Sequence, residues 1–245
     1  MLLDAPTLAA IAVLAVGAAI VSGMSGFGTG VILAAALVPL IGVKAVIPVM
    51  AVAGIVINAG RFWFYRTHLD RRSLAIVLAA SLPFLVLGTW IYSVLDARAL
   101  GTVLGAAVIA FVPLRRFLQA KKITIGPGGL AAGSGIFGFA TGIATGTGVI
   151  LVSLLLGTGL ATPAVLATDA LVSIVLDIAK AVLFQRFDLL GKEAFFTGLV
   201  IGAASIPGSA LAAWLVSRMH AHLHVVFMET LILVGGGSML WHAWR

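Results

Sequence analysis

Apolar stretches of about 15 to 25 residues follow one another along nearly the whole chain, broken only by short polar or charged connections. Ten such segments lie near 5–22, 29–42, 45–66, 73–94, 99–117, 128–144, 147–160, 163–185, 193–217 and 222–243. About 20 helical residues cross the roughly 30 Å of bilayer hydrocarbon at 1.5 Å per residue. The pattern therefore predicts an all-α polytopic membrane protein, with the lipid bilayer as its surroundings. Segments 29–42 and 147–160 are short, because fourteen helical residues reach only about 21 Å. Each follows a run of small, flexible residues: Ser22-Gly23-Met24-Ser25-Gly26-Phe27-Gly28 and Gly138-Phe139-Ala140-Thr141-Gly142-Ile143-Ala144-Thr145-Gly146. Each short segment and its predecessor form either a re-entrant hairpin or two full spans, and both alternatives return the chain to the side it left. Irregular backbone at membrane depth needs protein or a wet cavity to satisfy its polar groups, which places a cavity at these interruptions.

The pattern also repeats. Gly28-Thr29-Gly30-Val31-Ile32-Leu33 returns as Gly146-Thr147-Gly148-Val149-Ile150-Leu151, about 118 residues later, and the same offset carries Asp70 onto Asp188. A slightly larger offset places Ser81-Leu82-Pro83 and Trp90 over Ser205-Ile206-Pro207 and Trp214. The division is a first repeat over 1–118, a cytoplasmic linker over 119–127 and a second repeat over 128–245. Five segments per half is an odd number, so the second half enters the membrane from the opposite side and the repeats are inverted. In secondary transporters, paired interrupted helices in such repeats mark the substrate site. With the linker in the cytoplasm, the connections on that side carry Arg66, Arg71, Arg72, Arg115, Arg116, Lys121, Lys122 and Arg218. The opposite side carries Lys44, Arg98, Arg186, Lys192 and Arg245, a bias toward positive-inside that places both termini outside.

Composition narrows the function. The 245 residues are 62% hydrophobic and 9% charged, against about 25% charged in a soluble domain. Met1 to Gly23 has an acidic Asp4 and no basic n-region, so the first segment is expected to be a retained helix rather than a cleaved signal. The net charge of +7 is spread over short connections and reports orientation; it is not a nucleic-acid footprint. With no cysteine there is no disulfide, thiolate metal site or thiol nucleophile. No Walker motif supports ATP-driven transport by this chain. Gly23-Met24-Ser25-Gly26 matches a Gly-x-Ser-Gly pattern of intramembrane proteases, but His68, His220, His222, His224 and His242 lie in connections or near segment ends. The repeat, moreover, has Ile143 at the place of Ser25. His220, His222 and His224 alternate, which suits a metal clip only on an extended strand, and a solvated loop is the expected setting. No cofactor, metal or catalytic residue is expected.

The candidate chemistry lies at the interruptions and inside three spans. Helices starting after Gly28 and Gly146 would present free N–H groups and partial positive charge, with Gly30 and Gly148 permitting close approach and Thr29 and Thr147 adding hydroxyls. Two such ends make a small-oxyanion site; the alternative is that these glycines only let helices pack closely. Asp169, Ser173, Asp177 and Lys180 fall on one stripe of segment 163–185. Asp177 and Lys180, three apart, either gate or couple transport, or merely neutralise each other. Asn58 and Arg61 are also three apart, and the guanidinium fork suits an anion's oxygens, although a snorkelling side chain explains Arg61 equally well. The repeat equivalent of Arg61 is Ala179, so the halves are not chemically symmetric here. Glu229 stands alone in the last span, either a proton carrier or a hydrogen-bonded structural acid.

Gly28-Thr29-Gly30, Pro39, Pro48, Asp70, Pro83 with Gly88, Gly146-Thr147-Gly148, Asp188 and Pro207-Gly208 occur in an order, and with a duplication, that resembles the TauE/SafE sulfite exporter family over nearly the whole chain. The resemblance implies a multi-pass protein of the bacterial plasma membrane. It implies secondary transport of small sulfur-containing anions such as sulfite, sulfoacetate or other organosulfonates, coupled to protons or the membrane potential. Gly26 to Gly30 and Ala144 to Gly148 fall short of the unbroken glycine run of many members, which leaves the exact substrate open. Rival readings are an anion channel, an intramembrane hydrolase using Ser25, and a membrane subunit that needs a partner. A homo-oligomer is compatible with each.

Overall fold

The computed structural model describes residues 5–22, 28–120, 124–216 and 221–244. They form ten α-helices and, among the described residues, no strand: α1 (Ala5–Ser22), α2 (Gly28–Ile41), α3 (Val43–Tyr65), α4 (Arg71–Val94), α5 (Ala97–Ala120), α6 (Pro127–Ile143), α7 (Gly148–Gly157), α8 (Thr162–Arg186), α9 (Lys192–Val216) and α10 (Ala221–Trp244). Each coincides within a few residues with one apolar segment of the sequence.

The helix ends follow from local chemistry. The Asp70 carboxylate accepts the Ser73 N–H at 2.8 Å and caps α4, and Asp96 accepts the Ala99 N–H at 2.7 Å at the start of α5. Pro127 and Pro163 sit in first turns, where a missing N–H costs nothing. Gly42, at φ 78°, turns the chain between α2 and α3. Helix α7 has only ten residues, three fewer at its C-terminal end than the apolar segment, because the chain turns at Gly159 (φ 83°). The duplicated aspartates do different work. Asp70 caps a helix, whereas Asp188 takes the left-handed conformation (φ 57°) just after α8, with its N–H donating to the Gln185 carbonyl. His222 and His224 begin α10 rather than standing in a loop, so the alternation of the sequence does not become an extended metal clip; His220 lies outside the described residues.

Helix α3 lies against both α8 and α9, α4 against α6 and α8, α1 against α9, and α5 against α10. The closest approach is between α4 and α6. A Cβ at Gly142 would stand 2.7 Å from both the Leu85 carbonyl oxygen and the Thr89 nitrogen, and the Ser81 hydroxyl donates to the Ser134 carbonyl at 3.0 Å. Where lipid tails are as apolar as the helices, such contacts and hydrogen bonds must replace the hydrophobic drive to associate. Two apolar clusters fill the interior, one around Ile47, Tyr92, Leu104 and Phe184, the other around Leu85, Phe137, Leu155 and Leu176. Large apolar side chains also cover the outside, including Trp63, Phe64, Ile136, Phe196 and Trp244. Val43–His68 and Arg71–Val94 are each long and apolar enough to cross a membrane. At the end of α3 the Arg66 guanidinium lies 4.1 Å from the Trp63 ring centroid, a pairing suited to a bilayer surface.

Gly142→Ala should overpack the α4–α6 contact, at a cost of about 1–3 kcal/mol, and lower the unfolding midpoint in detergent by about 3–10 °C. Gly128→Ala, in the first turn of α6 with nothing within 4 Å of the added carbon, should leave the midpoint unchanged or slightly raised. Differential scanning fluorimetry of the two variants makes the comparison.

Candidate functional site

Four charges meet where α3 runs antiparallel to α8. Arg61 Nη2 lies 2.8 Å from Asp169 Oδ2, and Lys180 Nζ lies 2.8 Å from Asp177 Oδ1. Arg61 Nη2 also donates to Asn58 Oδ1 at 2.6 Å, and Asn58 hydrogen-bonds Asp177. The five side chains are therefore one network, with two cations balanced by two anions. Helical spacing aligns them within each element, since Asn58 with Arg61 and Asp177 with Lys180 are i,i+3 neighbours. Between elements the fit depends on Gly54: a Cβ there would stand 3.0 Å from Asp177 Cγ and run into its carboxylate oxygen. Thr168 adds a brace, its hydroxyl accepting the Asp70 N–H at 3.2 Å and tying α8 to the start of α4.

The network spans the middle of the interface. Arg61 is 21% exposed at its side chain, and its partner Asp169 is 2% exposed. Asp177 lies eight residues further along α8, about 12 Å by helical rise, on the other side of the helix midpoint, and it and Lys180 are buried. Each charge placed at membrane depth costs roughly 2.5–3.5 kcal/mol on insertion scales, and pairing offsets that cost. Asp169 Oδ1 is buried with no hydrogen-bond partner among the described residues.

The first turn of α2 meets the second glycine-rich interruption. A Cβ at Gly30, in the first turn of α2, would stand 2.7 Å from Thr145 Oγ1 and 3.6 Å from the Gly146 nitrogen. On the second interruption, Ala144 is extended and Gly146 takes φ 84°, so the chain leaves α6 and re-enters helix at Gly148. The Thr147 hydroxyl is engaged inside the protein, 2.7 Å from Thr141 Oγ1. The Ile125 N–H, just before α6, donates to the carbonyl of Gly157, the last residue of α7, at 2.7 Å. Helices α6 and α7 thus form a hairpin closed at its base.

The sequence-predicted residues divide accordingly. Asn58, Arg61, Asp177 and Lys180 converge on one interface, and Arg61 turns to a buried carboxylate instead of snorkelling to the surface. Gly30, Gly146, Thr147 and Gly148 lie where the start of α2 meets the second interruption. Gly28 and Thr29 open α2, but their side-chain surroundings, the side chain of Glu229 in α10, and Ser25 all lie outside the described residues. Sequence reasoning singled out neither Gly54 nor Thr145 as a partner. The Arg61–Asp169 pairing was equally hidden, although two opposite charges inside separate spans were the available signal.

Against known proteins, the family described as Sulfite exporter TauE/SafE matches residues 10–239. No curated protein and no solved structure matches the chain.

Removing one member of a buried pair strands the other, whereas removing both leaves apolar contact. Arg61→Leu or Asp169→Leu alone should each cost about 3–5 kcal/mol of stability, and the double variant should recover most of that loss. A double-mutant cycle on unfolding in mixed detergent measures the coupling; additive losses would show that the pair is not a unit.

Proposed function

The chain belongs to the sulfite exporter TauE/SafE family, an integral membrane protein of transport function, and from that premise we propose that it carries small sulfur-containing anions such as sulfite, sulfoacetate or other organosulfonates by alternating access, coupled to protons or the membrane potential. The observation that carries this reading is the meeting of the start of α2 with the second interruption, Gly30 against Thr145 and Gly146. Two helix starts, α2 and α7, converge there with their partial positive charges and unsatisfied N–H groups, an arrangement that attracts an oxyanion. Gly28 to Gly30 and Gly146 to Gly148 form the backbone of the site. Arg61, partly exposed on α3 with Asn58 orienting it, supplies the side-chain donor fork. Asp177, Lys180 or Glu229 gate transport or couple it to protons.

Depth supports the same reading. Helix α7 rises only about 15 Å from its base at Gly157, so with that base at the bilayer surface its start lies near half-depth. The α6–α7 pair then enters and leaves on one side, as a re-entrant hairpin does. The helix contacts support an inverted repeat. Exchanging the first five helices for the last five turns α1–α9 into α6–α4, α3–α9 into α8–α4, α2–α3 into α7–α8 and α2–α10 into α7–α5, all of which are packed pairs. The same exchange maps α3–α8 and α5–α10 onto themselves. We assign the chain to a bacterial plasma membrane as a multi-pass protein with its linker in the cytoplasm.

Uptake of radiolabelled sulfite, sulfoacetate and taurine into proteoliposomes, with and without a pH gradient, tests the proposal. Saturable, gradient-driven uptake is expected, lowered about tenfold or more by Arg61→Ala, since a charge-assisted contact is worth about 1.5–3 kcal/mol. Gly30→Val should lower it comparably by filling the space at Thr145. Flux that never saturates and never runs uphill indicates a channel, and no flux from folded protein refutes the substrate class.

A further inference from the structure

We propose that Asp169 is the proton-coupling residue: the transported anion takes Arg61 from it, and Asp169 accepts one proton from the aqueous side as it loses its cation. The assignment rests on the transport reading above, and it moves the coupling role from Asp177 to a different carboxylate. The two acids are unequal in what holds them. Asp177 keeps Lys180 on its own helix and Asn58 across the interface, so a ligand arriving at Arg61 leaves its charge balanced. Asp169 has its ion pair to Arg61, whose side chain is partly exposed and whose guanidinium fork suits an oxyanion.

Few titratable groups stand on the elements around Asp169. On the C-terminal half of α3 these are Arg61, which pairs with it, and Tyr65. The turn after α3 carries Arg66 and His68, both exposed; Asp70 caps α4 with its carboxylate on the Ser73 N–H and its own N–H on the adjacent Thr168, and Arg71 and Arg72 that follow are exposed. Helix α7 offers no titratable side chain, and on α8 itself stand Asp177 and Lys180. None of the exposed cations forms an ion pair with Asp169 among the described residues. When an anion occupies Arg61, the Asp169 carboxylate is therefore left as an uncompensated charge in a buried setting. Such a charge is expensive, and a proton cancels it. Oδ1, buried and without a hydrogen-bond partner among the described residues, is an open acceptor for that proton.

Charge then balances step by step. In the resting pair, Arg61 and Asp169 sum to zero. With a monoanion on Arg61 and a proton on Asp169, the site sums to zero again. On release at the far side, the anion leaves Arg61, the proton leaves Asp169, and the ion pair re-forms. One anion and one proton cross together, with no net charge moved.

The test uses full-length protein in vesicles holding a pH-sensitive dye, with labelled ethanesulfonate as probe, since its own acid group does not titrate near neutral pH. Wild type is expected to carry one proton inward per sulfonate, at a rate insensitive to an imposed membrane potential. Asp169→Asn is expected to lose proton movement while still exchanging labelled sulfonate across the bilayer. Sulfonate entry into Asp169→Asn vesicles with the wild-type proton ratio overturns the assignment and leaves the transport reading standing. If Asp169→Asn does not fold, wild type decides alone: sulfonate uptake that moves no proton, or that drives a membrane potential, overturns it. Absence of sulfonate movement by folded wild type overturns the transport reading and this assignment together.

Discussion

An ion in hydrocarbon must bring its counter-ion with it. That constraint organises the α3–α8 interface, where every charge placed inside the protein has an opposite charge at hydrogen-bonding distance. The requirement reaches backwards into ordinary-looking positions. Gly54 must have no side chain, because the Asp177 carboxylate occupies the space. Thr168 must hold α8 against the start of α4, because Asp169 follows it directly and has to meet Arg61. The antiparallel register of two helices is thereby fixed by polar contacts, while apolar packing around them supplies area without direction.

The scaffold and the chemistry obey different symmetries. Most packed helix pairs exchange when the first five helices are interchanged with the last five. The charges do not. Ala179 stands where Arg61 would repeat, and Ala51 stands in the first half where Asp169 stands in the second. Arg61 and Asp169 lie toward one end of the α3–α8 interface, and Asp177 and Lys180 toward the other.

Much of this was legible in the chain, for reasons that differ by feature. Helix positions follow from runs of apolar residues, a local property, and they agree to within a few residues, with α7 shortened where Gly159 takes positive φ. The Asp177–Lys180 and Asn58–Arg61 contacts follow from helical spacing. What could not be read is which helices lie side by side, so the Arg61–Asp169 bond and the role of Gly54 had no local signature. The duplicated motif had suggested that the Thr147 hydroxyl would serve as a donor; its bond to Thr141 depends on how the chain folds back between them.

The separation of Arg61 from Asp169 also has a consequence for how the protein is made. The two residues are 108 positions apart, 169 minus 61, so at about 5–20 residues per second roughly 5–20 s of synthesis separates them. Asp177 and Lys180 leave the ribosome three residues apart and can enter the bilayer already neutralised. Arg61 cannot. Until α8 arrives, α3 carries a cation close to its end, with Asn58 one turn away as its nearby acceptor. Its place five residues before Arg66, near the water, lets the nascent helix wait at the membrane surface and settle once its partner is delivered.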